Sequence, residues 1–154
     1  MPRPEDKAAV RRFLGVANYL SRFVPKLADL AEPLRKIIRQ EHDFNWTRSC
    51  ENAFQDMKKA FSKSATLKYF DNKQPVKLQC DASSTGLGAV LLQCEQPVAY
   101  ASRALTKTEC NYCHIEKEML ALVFATNRFH QYIYGLPVEL ETDHKPLETI
   151  FRKP

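Results

Sequence analysis

Two short segments of this sequence share a pattern that ends in an aspartate. Residues 76–81 read Val-Lys-Leu-Gln-Cys-Asp, and residues 138–143 read Val-Glu-Leu-Glu-Thr-Asp. Such alternation of apolar and polar side chains is typical of a β-strand with one buried face. In each strand the apolar pair would lie on one face and the aspartate, Asp81 or Asp143, on the other.

A pair of aspartates at the ends of neighbouring strands is a candidate metal site. A helix predicted between the two segments would be the crossover that makes the strands parallel neighbours, with Asp81 and Asp143 side by side. Adjacent carboxylates repel each other and need a shared proton or a cation. Their hard oxygen atoms suit Mg²⁺ or Mn²⁺ rather than zinc, and such ions activate water for hydrolysis of a phosphodiester. The alternative is that both aspartates only end their strands, because aspartate is common in turns.

The residues upstream of the first strand are predicted to be helical. Pro4 suits the first position of a helix, Pro25 stops the run that follows, and Thr47 suits the N-cap of a later helix. Apolar side chains recur in this part at the helical period of 3.6 residues. Residues 4–63 are therefore expected to be helical, within a helical subdomain that we assign to residues 1–66.

The pattern changes near residue 67, where strands replace helices. Strands are predicted at residues 76–81, 86–93, 97–102 and 138–143. One long helix is predicted from about residue 111 to residue 134, with Gly135 as its C-cap. Its apolar stripe comprises Ile115, Met119, Leu122, Val123 and Ile133. The expected fold class is α/β, or α+β overall: the helical subdomain is followed, over residues 67–154, by a mixed sheet with three antiparallel strands and a fourth strand parallel to the first.

Composition narrows the classes of function. The chain has 154 residues, of which 44% are hydrophobic, enough for a folded core. Its longest apolar runs are too short to span a membrane, and its first residues lack the apolar centre of a signal peptide, so we expect an intracellular protein of the cytoplasm or nucleus. The five cysteines are then expected to be reduced thiols.

The net charge of +5 lies entirely in the first part of the chain. Residues 1–66 contain 13 Lys and Arg against 8 Asp and Glu, whereas residues 67–154 contain 10 of each. A basic part beside a neutral part favours an anionic partner such as a nucleic-acid backbone. The solvated lysines and arginines of a non-binding surface would give the same count.

Several motifs occur here in the order in which one known family has them. They are FLGVANYLSRFVP at residues 13–25, CDAS at 80–83, GLGAVL at 86–91, YASRAL at 100–105, EKEMLA at 116–121 and TDHKPL at 142–147. Together they resemble the Pol polyprotein of gypsy-type LTR retrotransposons, in which a reverse transcriptase thumb or connection region precedes an RNase H-like domain. The resemblance covers nearly the whole chain.

The resemblance implies an activity and a set of site residues. The parent reverse transcriptase would copy RNA into DNA and hydrolyse the RNA strand of an RNA/DNA hybrid with Mg²⁺ or Mn²⁺. Its catalytic and metal-binding carboxylates correspond to Asp81, Glu118 and Asp143 of this chain. Glu116 is close in sequence, but it lies about 200° from Glu118 around a helix and is expected to be solvated. The expected partners are an RNA/DNA hybrid or other nucleic acid and the rest of the Pol polyprotein, with no membrane.

The sequence departs from the family pattern in one respect. The fourth carboxylate of the RNase H fold should follow on a later helix, yet only 11 residues follow Asp143 and none of them is an aspartate. No Tyr-x-Asp-Asp motif of a polymerase site occurs either. The RNase H-like domain is therefore expected to be C-terminally truncated, which leaves open whether this chain is an enzyme. The alternative is a catalytically dead relic or a nucleic-acid-binding fragment.

A further motif has the residue types of a cofactor site. Residues 110–114 read Cys-Asn-Tyr-Cys-His, the pattern of covalent haem attachment. That attachment requires export, and the sequence shows no export signal, so no haem is expected. Zinc is the other possibility, with Cys94 as a third thiol, but a second paired motif is lacking.

Overall fold

The computed structural model describes residues 2–39, 44–63 and 67–142 of the chain. Helices form its first part, and a sheet with helices forms its second. In chain order the elements are α1 (Lys7–Tyr19), a 3₁₀ helix (Leu20–Phe23), α2 (Leu27–Leu30), α3 (Glu32–Arg39), α4 (Arg48–Ser62), β1 (Val76–Ala82), β2 (Gly86–Gln93), β3 (Gln96–Ala104), a second 3₁₀ helix (Glu109–Asn111), α5 (His114–Arg128), α6 (His130–Ile133) and β4 (Val138–Thr142). Among the described residues, no helix has the length and apolar character needed to cross a membrane.

The first part of the chain has its own hydrophobic core, which we call the helical core. Phe13 of α1 and Phe54 of α4 pack edge to face in it, with 4.8 Å between ring centroids. Burial of one face of each amphipathic helix stabilises the helices beyond their intrinsic propensity. The buried members of the helical core are Val10, Phe13, Ala17, Val24, Leu27, Ala31, Leu34, Ile37, Cys50, Ala53, Phe54 and Met57.

Side-chain caps fix where the helices of this part begin. The predicted start at Pro4 is wrong, because the Asp6 side chain accepts a hydrogen bond from the Ala9 N–H and α1 begins at Lys7. Thr47 is confirmed as the N-cap of α4, since its hydroxyl accepts a hydrogen bond from the N–H of Cys50 at 3.4 Å.

The sheet has the strand order β3–β2–β1–β4. β1 pairs antiparallel with β2, β2 pairs antiparallel with β3, and β1 pairs parallel with β4. Gln93 and Gln96 pair across the β2–β3 turn, where Cys94 and Glu95 have φ values of 52° and 59°. Two central residues with positive φ are what a tight hairpin turn needs to match the twist of its strands. The strand order and the three pairings confirm the predicted mixed sheet.

α5 lies against the sheet and completes a second hydrophobic core, which we call the sheet core. It packs on β1 and β2, and its Ala121 and Ala125 are fully buried. Small side chains at these positions let the helix backbone approach the strands closely. The buried members of the sheet core are Val76, Leu78, Cys80, Ala82, Leu87, Ala89, Leu91, Val98, Ala99, Ala101, Leu105, Ala121, Leu122, Ala125 and Phe129.

The single long helix predicted from residue 111 to residue 134 is wrong. A 3₁₀ helix precedes α5, and α5 ends before the short α6. Phe129 separates the two helices and is buried in the sheet core. Val123, predicted to be buried, is 51% exposed because it lies outside the face of α5 that contacts the sheet. Gly135 follows α6 with a φ of 75°, the left-handed conformation expected of a C-cap glycine.

The two parts meet at a joint where the first 3₁₀ helix lies against β3 and α2 lies against β2 and β3. Ala28 of α2 is buried there against Gly86 of β2. A Cβ atom at Gly86 would lie 2.9 Å from Asp29 Oδ1 and 3.0 Å from the Cβ of Ala28, so only glycine permits this approach. The division of the chain into domains over residues 1–66 and 67–154 stays a prediction.

Candidate active site

Asp81 lies near the carboxyl end of β1. Its neighbours Cys80 and Ala82 point into the sheet core, so the alternation of the strand directs the Asp81 side chain to the opposite face of the sheet. That side chain is 37% exposed. It borders an open recess of about 260 Å³, which is lined by Pro25, Lys26, Gln79, Cys80, Asp81, Gly88, Ala89, Val90 and Tyr100. Asp81 is therefore reachable from solvent.

The predicted partner of Asp81 follows β4. β1 and β4 pair in register from Val76 with Val138 to Cys80 with Thr142. Asp143 comes directly after Thr142 in the sequence but lies outside the described residues. The adjacency of the two strands is thus observed, whereas the pairing of the two aspartates stays a prediction.

Glu118 is positioned by α5 and is almost completely buried, with 2% of the residue exposed. It lies on the same helix face as Ala121 and Ala125, which pack against the sheet. His114, one turn earlier, brings its Nε2 to 3.7 Å from Glu118 Oε1. The interior of a protein tolerates a carboxylate only where charge or hydrogen bonds compensate for lost water. The buried Glu118 carboxylate therefore needs a charged or hydrogen-bonding group beside it.

Glu116 has a different environment from that of Glu118. It is exposed, and its Oε2 accepts a hydrogen bond from the backbone N–H of Cys113 at 2.8 Å. This contact caps the start of α5. The two glutamates thus face opposite ways, in keeping with their offset around the helix.

The described part of the predicted metal site contains two of its three carboxylates, Asp81 and Glu118. Among the described residues, to which Asp143 does not belong, no group of three or more His, Cys, Asp or Glu side chains is arranged to hold a metal ion. The carboxylate oxygens of Asp81 and Glu118 are of the hard type that Mg²⁺ or Mn²⁺ prefers. Of the zinc candidates, Cys94 lies in the β2–β3 turn, whereas Cys110 and Cys113 precede α5.

A cationic group that the sequence did not predict lies at Asp81. The ammonium Nζ of Lys26 is 2.6 Å from Asp81 Oδ2. Lys26 directly precedes α2 and has a left-handed backbone, with a φ of 49°. The two residues are 55 positions apart, so no local pattern in the sequence could have linked them.

Further hydrogen bonds hold α2 beside the candidate site. Asp29 Oδ1 accepts from Ser83 Oγ at 2.6 Å and from Thr85 Oγ1 at 2.9 Å. The Ala28 N–H donates to Ser102 Oγ at 3.2 Å. These contacts, together with Gly86, form what we call the α2 clamp. It fixes the turn that follows Asp81 against the helical part of the chain.

Comparison with protein families identifies the class to which the chain belongs. The family described as the RNase H-like domain found in reverse transcriptase matches residues 46–140, from just before α4 into β4. The match covers most of the chain, and the chain belongs to this family.

Polyproteins of transposons are similar over nearly the whole sequence. The retrovirus-related Pol polyprotein from transposon 412 of Drosophila melanogaster is 37% identical over 97% of this chain, and that from transposon gypsy is 37% identical over 95%. The transposon Tf2-3 polyprotein of Schizosaccharomyces pombe is 32% identical over 94%. The chain spans 12%, 15% and 11% of the respective lengths of these three relatives. The predicted resemblance to retrotransposon Pol polyproteins is confirmed.

Solved structures share the fold. A foamy viral protease-reverse transcriptase dRH in complex with double-stranded DNA has a TM-score of 0.82 and 22% identity, over 100% of this chain and 28% of its own. A foamy viral protease-reverse transcriptase in complex with an RNA/DNA hybrid has a TM-score of 0.81 and 22% identity, over 99% of this chain and 21% of its own. At this identity the likeness concerns the fold, and it confirms the RNase H-like fold predicted from the sequence.

Proposed function

We propose that this chain supplies part of the ribonuclease H site of a retrotransposon reverse transcriptase. The reaction is hydrolysis of the RNA strand of an RNA/DNA hybrid with the help of a divalent cation. The observation that carries the proposal is the parallel, in-register pairing of β1 with β4, which runs as far as Cys80 and Thr142. The next residue of each segment is an aspartate, Asp81 or Asp143, and two neighbouring carboxylates are suited to share a cation.

Three carboxylates have distinct roles in this proposal. Asp81 on the open face of the sheet and Glu118 on the face that α5 covers would meet Asp143 only at the carboxyl edge of β1 and β4. There the three carboxylates would hold Mg²⁺ or Mn²⁺, and the ion would supply Lewis-acid activation of water and of the phosphodiester. Glu118 contributes a carboxylate shielded from bulk water, where its attraction to a cation is stronger than at the surface. Asp81 borders the open recess, so it lies on the side from which a nucleic-acid backbone can approach.

We propose a nucleic acid as the partner of the helical part. Residues 1–66 hold the whole basic excess, and Arg11 and Arg12 are exposed on α1. Cationic side chains of this kind hold phosphates and orient a duplex without reading its sequence. In this proposal residues 1–66 are the thumb or connection part and residues 67–154 the nuclease part. The rest of a Pol polyprotein is the second partner, because the chain spans only a small share of each relative.

The test measures cleavage of a labelled RNA/DNA hybrid by the polyprotein that, on this proposal, contains the chain. Cleavage is expected to require Mg²⁺ or Mn²⁺. Asp81→Asn and Glu118→Gln are each expected to lower its rate roughly a hundredfold or more, the usual cost of losing one electrostatic element. Glu116→Gln is the matched control, since Glu116 lies on the same helix but is exposed, and it should leave the rate nearly unchanged. Cleavage that survives Asp81→Asn would contradict the proposal.

Binding without hydrolysis is the second candidate function. The contact of Lys26 with Asp81 favours it, because a cationic group already at Asp81 opposes the binding of a metal ion there. In that case the same preparations would bind the hybrid with an affinity that falls steeply as salt rises. Their cleavage rate would be at background and would not change in Asp81→Asn.

A further inference from the structure

The Lys26 side chain occupies a place that is set by the fold. The ion pair of Lys26 with Asp81 is largely solvent-exposed, with 63% of the Lys26 side chain and 37% of the Asp81 side chain accessible. Exposed ion pairs contribute little to stability, so the attraction alone does not explain why Lys26 lies there. The explanation is in the backbone and in what holds it.

The α2 clamp holds the backbone of Lys26 over the end of β1. Asp29, three residues later, is anchored by the hydroxyls of Ser83 and Thr85 at 2.6 and 2.9 Å. The Lys26 stem runs over Gly88, where a Cβ atom would lie 3.8 Å from Lys26 Cγ. Contacts that do not involve the charge of Lys26 therefore position its ammonium beside Asp81.

The Lys26 ammonium lies at the carboxylate oxygen that the proposed function assigns to a metal ion. It is a cation at hydrogen-bond distance from a carboxylate oxygen, beside an open recess. The ion pair shows that a cation can neutralise the Asp81 carboxylate from the side of the recess. We infer that Lys26 is a built-in competitor for the metal site: its ammonium neutralises Asp81 in the metal-free protein and must leave when a divalent cation binds. The inference rests on the proposed function, because it assumes that Asp81 is a metal ligand.

Competition has a measurable consequence for metal affinity. A divalent cation bound at Asp81 would break the ion pair and leave the Lys26 charge nearby, and both effects weaken metal binding. Removal of that charge in Lys26→Met is therefore expected to lower the Kd for Mn²⁺ about twofold to fivefold, within the range that exposed ion pairs span. Lys26→Arg keeps the charge and should bind Mn²⁺ as the wild type does.

The experiment is a Mn²⁺ titration of the 154-residue chain in which free Mn²⁺ is followed by its electron paramagnetic resonance signal. Lys36→Met is the matched control, because Lys36 is an exposed lysine of α3 that lies beside Asn45 and Thr47 rather than Asp81. Lys26→Asn is a second variant, which removes the charge with a residue that accepts the left-handed backbone. Both neutral variants should bind Mn²⁺ more tightly than Lys36→Met.

The outcomes separate this inference from the proposed function. Suppose that Asp81→Asn abolishes Mn²⁺ binding, but Lys26→Met and Lys26→Asn bind Mn²⁺ no more tightly than Lys36→Met. That result overturns the competition and leaves the metal site standing. A chain that binds no Mn²⁺ through Asp81, with or without Lys26, overturns both. Tighter binding in the two neutral variants and wild-type binding in Lys26→Arg supports both.

Discussion

The two cores and the joint between them are held together in different ways. The helical core and the sheet core are each a continuous cluster of buried apolar side chains, and no such cluster spans both among the described residues. The joint instead depends on hydrogen bonds to Asp29 and Ser102, on the contact of Lys26 with Asp81, and on the close approach at Gly86. Each core thus specifies its own elements, whereas a few polar contacts decide how the parts meet at the candidate site.

The largest effect is expected inside the helical core. Phe54 is 1% exposed and packs against the rings of Phe13 and Trp46, at 4.8 and 6.0 Å between centroids. Phe54→Ala should lower the free energy of unfolding by about 3–5 kcal/mol, because it removes a large buried ring and leaves a cavity. Chemical denaturation measures the change, with Tyr19→Ala at an 83% exposed position as the control. A loss below about 1 kcal/mol would show that this core does not hold the helical part together.

A smaller but more local effect is expected at the joint. In Gly86→Ala the new Cβ would lie 2.9 Å from Asp29 Oδ1, 3.0 Å from the Ala28 Cβ and 3.2 Å from the backbone oxygen of Arg103. Two of these neighbours are themselves held in place, so the substitution should cost about 1–3 kcal/mol of unfolding free energy. It should also loosen α2 from the sheet, which faster amide hydrogen exchange in residues 26–31 would reveal.

Gly15→Ala is the matched control for the joint. Gly15 lies in α1, and a Cβ atom there meets nothing within 4 Å. Alanine in place of glycine in a helix should raise the unfolding free energy by about 0.5–1 kcal/mol. If Gly86→Ala raised the unfolding free energy as Gly15→Ala does, the joint would not be as tightly packed as the distances indicate.

The contrast between cores and joint also marks what the sequence could predict. Alternation of apolar and polar residues predicted β1 and β4, an apolar run predicted β2, and the tight connection after it predicted β3. The crossover helix between the two aspartate-ended segments predicted that β1 and β4 are parallel. These are local or periodic signals. Glu118 was assigned through the resemblance to a family, and its burial could not be derived from one sequence.

Tertiary contacts explain the features that could not be predicted from the sequence. The apolar pattern continues through Phe129 without a proline or glycine, yet α5 ends there. The ring of Phe129 packs in the sheet core near Tyr132, which in turn contacts Phe70 at 5.1 Å between centroids. The Lys26 contact with Asp81 likewise depends on the α2 clamp, whose partners lie more than 50 positions apart. Neither feature has a signature within a short window of residues.

The smallest effect is expected at a polar contact that lies within the sheet part alone. Near the end of β3, Arg103 donates to both oxygens of Glu109, at 2.8 and 2.9 Å, and the Thr106 N–H donates to Glu109 Oε2 at 2.8 Å. The Arg103 guanidinium also lies 5.7 Å from the ring centroid of Phe124 in α5. These side-chain contacts tie the end of β3 to the residues that precede α5.

The Arg103 guanidinium, followed by the Thr106 N–H, lowers the pKa of Glu109 from 4.5 to about 2. Because the pKa is lowered in the folded state, the carboxylate contributes stability above pH 4.5 and loses that contribution as the pH falls towards 2. Glu109→Gln should therefore lower the unfolding free energy by about 1 kcal/mol at pH 7, the scale of a charge-assisted hydrogen bond that is partly open to water. The difference from the wild type should shrink as the pH is lowered from 4.5 towards 2. Denaturation at pH 7 and pH 3 measures it, with Glu5→Gln at an exposed position as the control, and a gap that stays constant with pH would rule out the Arg103 contact as its cause.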